Sequence, residues 1–463
     1  MRTRINEYTA RATQAIRSEP EVRESVTGAT LAFDRKRRDA YTEVDADEWR
    51  RWAEAVKNHT LTHLDDYLTQ AEERLEANGV QVHWAADAAE ARDIVTTIAD
   101  DGLVATAVKG KSMLTEEIDL NPALEDVGME VLETDLGEYV LQLLDEPPSH
   151  ILGPAIHKSL QQVRDLFADR LGSAPDGDPD ALAEAARHVL RDAFIHADMG
   201  ITGGNFLVAE TGTVALIENE GNIRLTTSLP RVHVALVGIE KLLPRMTDLA
   251  GFLQLTARAA TGQPIGCFVS LIQGPATQPG DDGPEEVHVV LVDNGRTDVL
   301  AHPHAWEALR CLRCGACLNA CPVYRQTGGH AYGYVYSGPI GSVLDPGLLG
   351  LHEAMPLPFA SSLCGACFDA CPVRIPIPEL LLEWRREAQD QGLTPWKERA
   401  ALAGLASVAT RPGLYKLAGR IGARLGGTGA ARALPMLGEW ARERALPKPS
   451  RRTFRELWRE GIE

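Results

Sequence analysis

Seven of the eight cysteines in this chain lie within one short stretch, and they follow a single spacing twice. The first copy, CLRCGACLNACP (311–322), has the order C-x2-C-x2-C-x3-C-P. Bacterial ferredoxins use this run to hold iron–sulfur clusters: three thiolates wrap one cluster, and the fourth, just before the proline, binds another. Residues 301–383 are therefore expected to form a small, two-cluster, ferredoxin-like α-helical module that depends on its cofactors rather than on a large apolar core.

The second copy, SSLCGACFDACP (361–372), repeats this pattern with one difference, because Ser361 stands where the first copy has its first cysteine. Two iron–sulfur clusters are expected, of which the first has the four thiolates of a [4Fe–4S] cluster and the second finds only three. It is either a [3Fe–4S] cluster or a [4Fe–4S] cluster completed by Ser361, water, another residue or a partner protein. In the crossed scheme of ferredoxins, one cluster takes Cys311, Cys314, Cys317 and Cys371, and the other takes Cys321, Cys364 and Cys367.

Zinc is the main alternative ion for these cysteines, since C-x2-C pairs also suit a tetrahedral site. Zinc ribbons do not need seven cysteines in this order with two Cys-Pro endings, so iron–sulfur clusters are favoured. The eighth cysteine, Cys267, starts an apolar strand and is expected to be a buried core thiol. The other interpretation has Cys267 supplying the missing ligand.

Charge and hydropathy exclude several classes of protein. The formal net charge of −18 over 463 residues argues against a nucleic-acid binder that neutralises phosphates. No run approaches the ~20 apolar residues of a transmembrane helix, and the first residues lack the apolar core of a secretory signal. A cytoplasmic protein is therefore expected.

Residues 381–463 carry 16 Lys/Arg against 9 Asp/Glu, which predicts a basic C-terminal appendage over 384–463.

The remainder of the chain reads as a helical arm followed by an α/β domain. Residues 1–79 form the arm, in which an apolar stripe begins at Trp49, Asp47 is a plausible N-cap and Asn78-Gly79 closes the helix. Over 80–300, strands alternate with helices, which predicts a layered α/β domain with a largely parallel sheet and a hairpin at Thr211-Gly212. The strands are expected at 80–84, 103–108, 129–134, 206–210, 213–218, 232–239, 267–274 and 286–295, with a helix near 246–260.

Several segments together resemble the lactate utilization protein B family. They include ALRCLRCGACLNACPVYR (308–325), LPFASSLCGACFDACPV (357–373), ETDLGEYVLQL (133–143), HADMGITGGNFLVAETGTVAL (196–216) and RVHVALVGIEKLLP (231–244). The family shares the S-S-L-C-G-A-C pattern around Ser361. Where it has K-S-K-S-M, this chain has KGKSM (109–113), which keeps both lysines and the serine.

The resemblance implies a cytoplasmic iron–sulfur subunit that carries electrons in the oxidation of L-lactate to pyruvate, so that lactate serves as a carbon source. It also implies that lactate utilization proteins A and C are partners. The α/β part is then a lactate-utilization domain, similar to NagB/RpiA-like sugar-phosphate folds.

A small anion is a candidate ligand of the α/β domain, because open α/β sheets bind ligands at the carboxyl ends of their strands. Two lysines follow one predicted strand, and glycine-rich loops follow others. The candidate ligand residues are Lys109, Lys111, Ser112, Gly204 and Thr211. No residue is assigned a catalytic role.

Two further functions stay open at this point. In one, the α/β domain binds a 2-hydroxy acid and passes electrons directly to the clusters; against it, the sequence has no flavin or nicotinamide fingerprint. In the other, the protein is an iron–sulfur sensor or assembly scaffold, for which the open corner beside Ser361 is the main support.

Overall fold

Six parallel strands form the central sheet. They are β1 (Gln81–Ala85), β2 (Thr106–Lys109), β3 (Glu130–Glu133), β4 (Met199–Gly203), β7 (Val232–Gly238) and β10 (Glu286–Val292). Their order across the sheet is β1-β10-β7-β4-β2-β3, and a central pairing aligns Val289 of β10 with Ala235 of β7. The parallel sheet predicted from the alternation of strands and helices is confirmed.

Both faces of the central sheet are buried, which explains the nearly continuous apolar sequence of β7 and β10. On β7, Val234 and Leu236 pack on one face with the helix Ala88–Asp101. Ala235 and Val237, which point the other way, pack with the helix Leu64–Ala77 and the second sheet. The side-chain period of two along a strand therefore divides one apolar run between two cores.

A second sheet of four strands has the order β8-β5-β6-β9. Its strands are β5 (Phe206–Val208), β6 (Thr213–Glu218), β8 (Leu242–Leu243) and β9 (Phe268–Ile272). Strands β5 and β6 are antiparallel, with Val208 opposite Thr213, so the hairpin predicted at Thr211-Gly212 is confirmed.

The structure is a computed structural model that describes residues 3–173, 176–278, 280–425, 450, 452 and 454–461. The chain divides into two compact units, residues 1–387 and 388–463.

The α-helices up to the cysteine segment are Tyr8–Ser18, Pro20–Tyr41, Ala46–Thr62, Leu64–Ala77, Ala88–Asp101, Met113–Glu117, Leu120–Asp126, Leu136–Leu144, Leu160–Leu171, Pro179–His196, Asn222–Ser228, Met246–Ala260 and Arg296–Ala301.

The cysteine segment is made of short helices and turns. Its α-helices are Ala316–Ala320, Tyr324–Thr327, Gly338–Leu349 and Ala366–Ala370, and the longer helix Ile377–Asp390 follows.

The described part of the second unit contains the helices Trp396–Ala409, Pro412–Leu425 and Phe454–Arg459. Residues 426–449 of the predicted basic appendage lie outside the described residues. Within the described part of the chain, no helix is both long enough and apolar enough to cross a membrane.

Three expectations about local structure were wrong. The helix expected from Trp49 to Asn78-Gly79 is two helices that meet at His63, and Asp45, not Asp47, caps the first by accepting the Glu48 N–H. Cys267 is exposed rather than buried. Its neighbouring strand β9 is partly exposed because it forms the edge of the second sheet, where one side of the strand has no neighbour.

His233 on β7 gives the sheet a pH dependence. Its side chain is fully buried, with Nε2 at 2.9 Å from Thr202 Oγ1, and burial lowers its pKa to about 4. His288 beside it acts in the same direction. Between pH 6.5 and 4 the unfolded chain binds a proton that the folded chain excludes, so this residue makes the folded state less stable as the pH falls.

The free energy of unfolding of the wild type should fall between pH 7.5 and pH 5.5, and His233 should account for about 1.4 kcal/mol of that fall, because pH 5.5 lies one unit below the pKa of an unfolded histidine. We expect His233→Gln to remove this contribution. Urea unfolding of anaerobically purified protein at both pH values measures it. Exposed His196→Gln is the matched control and should keep the wild-type difference. A wild-type difference retained in His233→Gln would contradict the assignment.

Candidate iron–sulfur centres and ligand cavity

The first cysteine loop turns sharply around its thiols. Arg313 and Gly315 both have left-handed backbones, with φ of 58° and 74°, and the short helix Ala316–Ala320 follows. The N–H of Arg313 donates to Cys311 Sγ at 3.3 Å. Glycine suits the second of these positions because a side chain there would strain the backbone.

The second loop repeats this geometry residue by residue. Leu363 and Gly365 take the left-handed positions with φ of 55° and 84°, and Ala366–Ala370 forms the helix. The N–H of Leu363 donates to Ser361 Oγ at 3.1 Å, just as the N–H of Arg313 donates to a cysteine sulfur. The duplication seen in the sequence is therefore also a duplication of backbone structure.

The seven thiols fall into two groups. Four of them line a small cavity of about 20 Å³, and these are Cys311, Cys314, Cys317 and Cys371. Burial, followed by the neighbouring thiols, raises the pKa of Cys317. Burial and then Cys321 raise the pKa of Cys367 to about 12, with Cys364 also contributing. These are the two groups of the crossed scheme, and ligation of iron by them stays a prediction. In the described ranges, no three or more His, Cys, Asp or Glu side chains are placed to hold a single metal ion.

The surroundings of the thiols suit thiolate-bound, anionic clusters. Backbone N–H groups donate to Cys321 Sγ at 3.4 Å and to Cys371 Sγ at 3.3 Å. Arg50, from the helix Ala46–Thr62, donates to the carbonyl of Cys371 at 2.9 Å, and Lys241 donates to that of Cys311 at 3.1 Å. N–H donors and cations favour the negative charge that thiolate ligands bring, so the donor set fits iron–sulfur clusters.

A buried charge network joins the central sheet to the first cysteine loop. Arg296 binds Glu117 through two parallel hydrogen bonds of 2.8 and 2.9 Å, and its Nε donates to Glu240 at 2.6 Å. Arg313 reaches Glu240 at 3.3 Å, and the hydroxyl of Tyr336 donates to Glu117. Despite burial, Arg296 and the neighbouring cations lower the pKa of Glu240 to about 2.

Gly238, at the end of β7, leaves room for this network. A Cβ built there would lie 2.2 Å from Glu240 Oε2 and 2.9 Å from Arg296 Nε. A side chain at position 238 would therefore displace the ion pair.

We expect Arg296→Met to destabilise the protein by about 3–5 kcal/mol, because two buried carboxylates lose their main cation. Urea unfolding at neutral pH measures the loss. The control is Arg187→Met, which removes an exposed arginine paired with Glu184 and should leave stability unchanged. A similar effect of both substitutions would show that the buried network contributes little.

A cavity of about 260 Å³ opens at the carboxyl ends of the central strands and extends to the first cysteine loop. Of the residues predicted to bind an anion, three line it: Lys111, Ser112 and Gly204. Lys111 donates to the carbonyl of Leu152 at 2.8 Å and lies 3.5 Å from Asp135.

The other two predicted ligand residues do not line this cavity. Lys109 is fully buried, with its ammonium 2.8 Å from Glu133 and 3.2 Å from Glu116, so its charge is already paired. Thr211 lies in the β5–β6 hairpin, where its hydroxyl is 2.7 Å from that of Thr213.

Sequence reasoning missed the cavity residues Arg313, Lys241 and Thr256, and it did not place the predicted cluster ligand Cys314 at this cavity. The Arg313 side chain is only 9% exposed, and its Nη1 has no hydrogen-bond partner. Its guanidinium stacks 4.4 Å from the ring centre of Tyr336. The buried hydroxyl of Thr256 is also without a partner. Arg313 and the thiol of Cys314 thus belong to the lining of one cavity.

The parallel sheet and the paired cysteine loops define the chain as an iron–sulfur protein built on an α/β domain. Comparison with known families agrees: the LUD domain matches residues 68–292, the 4Fe-4S dicluster domain 307–375, and the C-terminal domain of lactate utilisation protein B 386–462. The chain belongs to the lactate utilization protein B family.

Two curated relatives and one solved structure illustrate the similarity. Lactate utilization protein B of Shouchella clausii is 44% identical over 425 residues, covering 89% of this chain and 88% of the relative. That of Bacillus pumilus is 42% identical over 421 residues, covering 89% of each. The crystal structure of a DUF162 family protein from Deinococcus radiodurans has a TM-score of 0.29 at 15% identity, covering 50% of this chain and 98% of that one.

Proposed function

We propose that this chain is the iron–sulfur electron-transfer subunit in the oxidation of L-lactate to pyruvate, which allows lactate to be used as a carbon source. The observation that carries this is the presence of two thiol groups in one chain, one of which borders the cavity at the carboxyl end of the α/β sheet. The relatives named lactate utilization protein B support the lactate pathway. The partners are then lactate utilization proteins A and C, and the location is cytoplasmic.

The residues of the chain hold and tune the two clusters in this proposal. When bound, iron–sulfur clusters take up and release one electron at a time. The ligands of the first are Cys311, Cys314, Cys317 and Cys371, and those of the second include Cys321, Cys364 and Cys367. Arg50, Lys241 and Arg313 place positive charge beside the first group, which favours electron uptake there.

We expect the isolated, cluster-loaded protein to form no pyruvate from L-lactate, and turnover to appear when proteins A and C are added. Anaerobic assays that quantify pyruvate with an artificial electron acceptor measure this. Cys317→Ala should abolish turnover, because alanine offers no ligand atom to the first cluster. Cys267→Ser, which changes the exposed thiol outside both groups, should not.

Pyruvate formed by the isolated chain would contradict the relay role and favour direct oxidation of a 2-hydroxy acid. No turnover with both partners present, together with a labile cluster, would favour the sensor or scaffold function.

A second candidate function, substrate binding by the α/β domain, is favoured by the cavity that joins Lys111 to Cys314. A carboxylate placed there would meet the ammonium of Lys111, with Ser112, Gly204 and Arg313 also lining the cavity. A charged hydrogen bond of this kind contributes about 1.5–3 kcal/mol to binding.

If the cavity binds such an acid, Lys111→Ala should weaken binding of L-lactate or pyruvate by roughly 10-fold or more, since 1.4 kcal/mol is a factor of ten. Calorimetric titration of the cluster-loaded protein measures it, with exposed Lys36→Ala as the control. Equal affinities in wild type and Lys111→Ala, with intact clusters, would leave the relay as the function of this chain.

A further inference from the structure

The hydroxyl of Ser361 occupies the structural position of a cluster-binding thiol. In the first loop, Cys311 Sγ accepts the N–H of the residue two positions later at 3.3 Å. In the second loop, Ser361 Oγ accepts the N–H of Leu363 at 3.1 Å. We infer that Ser361 Oγ is the fourth protein ligand of the second cluster, beside Cys321, Cys364 and Cys367. This inference rests on the proposed iron–sulfur function.

The backbone of the second loop gives Ser361 the position, relative to the other ligands of its loop, that Cys311 has in the first loop. In both loops a left-handed residue precedes the second ligand position, at φ of 58° for Arg313 and 55° for Leu363. A left-handed glycine follows that position in both, and then a five-residue helix that carries the third ligand. Because these turns are the same, the side chain that begins each loop points into the same part of it.

The main chain of Ser361 is anchored from outside the loop. Arg385, on the helix Ile377–Asp390, donates through Nε to the carbonyl of Pro358 at 2.8 Å and through Nη2 to the carbonyl of Ser361 at 3.4 Å. Such anchoring limits the movement of Ser361 away from the loop. The hydroxyl oxygen is therefore held close to the place from which it would bind iron.

Ligation by serine requires only the loss of a proton. The Oγ–H bond breaks, an Oγ–Fe bond forms, and no electron is transferred. The proton has a path to solvent because Ser361 is half-buried and the neighbouring Cys364 is exposed. Oxygen is a harder ligand than thiolate, and iron–sulfur sites select soft sulfur ligands, so this corner should hold its iron less firmly than a cysteine would.

Tyr332 is the competing protein ligand. Its hydroxyl is buried without a hydrogen-bond partner, and burial, then Tyr8 and then Cys321 raise its pKa. It belongs, however, to the turn His330–Tyr332 and has no counterpart in the first loop. Cys267, the spare thiol, is exposed just before the edge strand β9, and the side-chain amide of Gln263 lies 3.6 Å from its sulfur.

The test compares Ser361→Ala, Ser361→Cys, Tyr332→Phe and the adjacent control Ser362→Ala, each purified anaerobically as the full chain. Iron and sulfide are quantified, and EPR spectra are recorded as purified and after reduction with dithionite. We expect wild type to contain about eight irons per chain, in two [4Fe–4S] clusters. In Ser361→Ala the second cluster should become [3Fe–4S], with an EPR signal in the oxidised state and about seven irons per chain.

The remaining variants separate ligation from a structural effect. Ser361→Cys should keep about eight irons, resist oxidative loss of iron better than wild type, and show an altered signal for the second cluster only. The signal of the first cluster reports folding in every variant. Ser362→Ala and Tyr332→Phe should match wild type.

Three outcomes would overturn the inference: an unchanged spectrum in Ser361→Ala, loss of iron in Tyr332→Phe instead, or a stoichiometric [3Fe–4S] signal in wild type. Zinc without iron in wild type would instead overturn the proposed function itself, so the two failures are distinguishable.

Discussion

The architecture of the site depends on the two buried ion pairs made by Arg296. It follows β10 and lies between two buried carboxylates, Glu117 from the segment after β2 and Glu240 from the segment after β7. Leaving either carboxylate unpaired in the interior would be costly, so the three segments are held in one arrangement. Because Tyr336 and Arg313 bind the same carboxylates, this arrangement also fixes the cysteine segment against the sheet.

The consequence for function is that the ligand cavity and the first thiol group are neighbours. The carboxyl ends of parallel strands present loops rather than ladder partners, which makes that edge the usual ligand site of an open α/β sheet. Here the first cysteine loop closes the same edge, and Cys314 and Lys111 line one cavity. The α/β domain and the first cysteine loop thus line one cavity, which is what the proposed electron relay next to a bound substrate would need.

Much of the fold was predictable because its local signals agree with its tertiary structure. The apolar runs of β7 and β10 and the helix Met246–Ala260 all appear where the pattern placed them. Strand β4 (Met199–Gly203) escaped prediction because glycines weaken its strand signal. Its Gly200 is required by packing, since a Cβ there would lie 1.9 Å from the carbonyl oxygen of Thr226. The exposure of Cys267 was also not predicted. The apolar sequence of a strand does not show whether that strand lies at the edge of its sheet or in the middle.

By itself, the sequence determined the chemistry of the cysteine segment and the class of the α/β domain. Those conclusions depend on spacing along the chain, because ligand loops and strand periodicity are local properties. Tertiary structure alone decided which side chains meet. It paired Lys109 with Glu133, brought Arg313 to the cavity, and put the hydroxyl of Ser361 where the first loop has a thiol. The first two are contacts between residues distant in sequence, and the third places a serine where the other loop has a cysteine. Packing and the burial of charge decide these arrangements, and no pattern along the chain shows them.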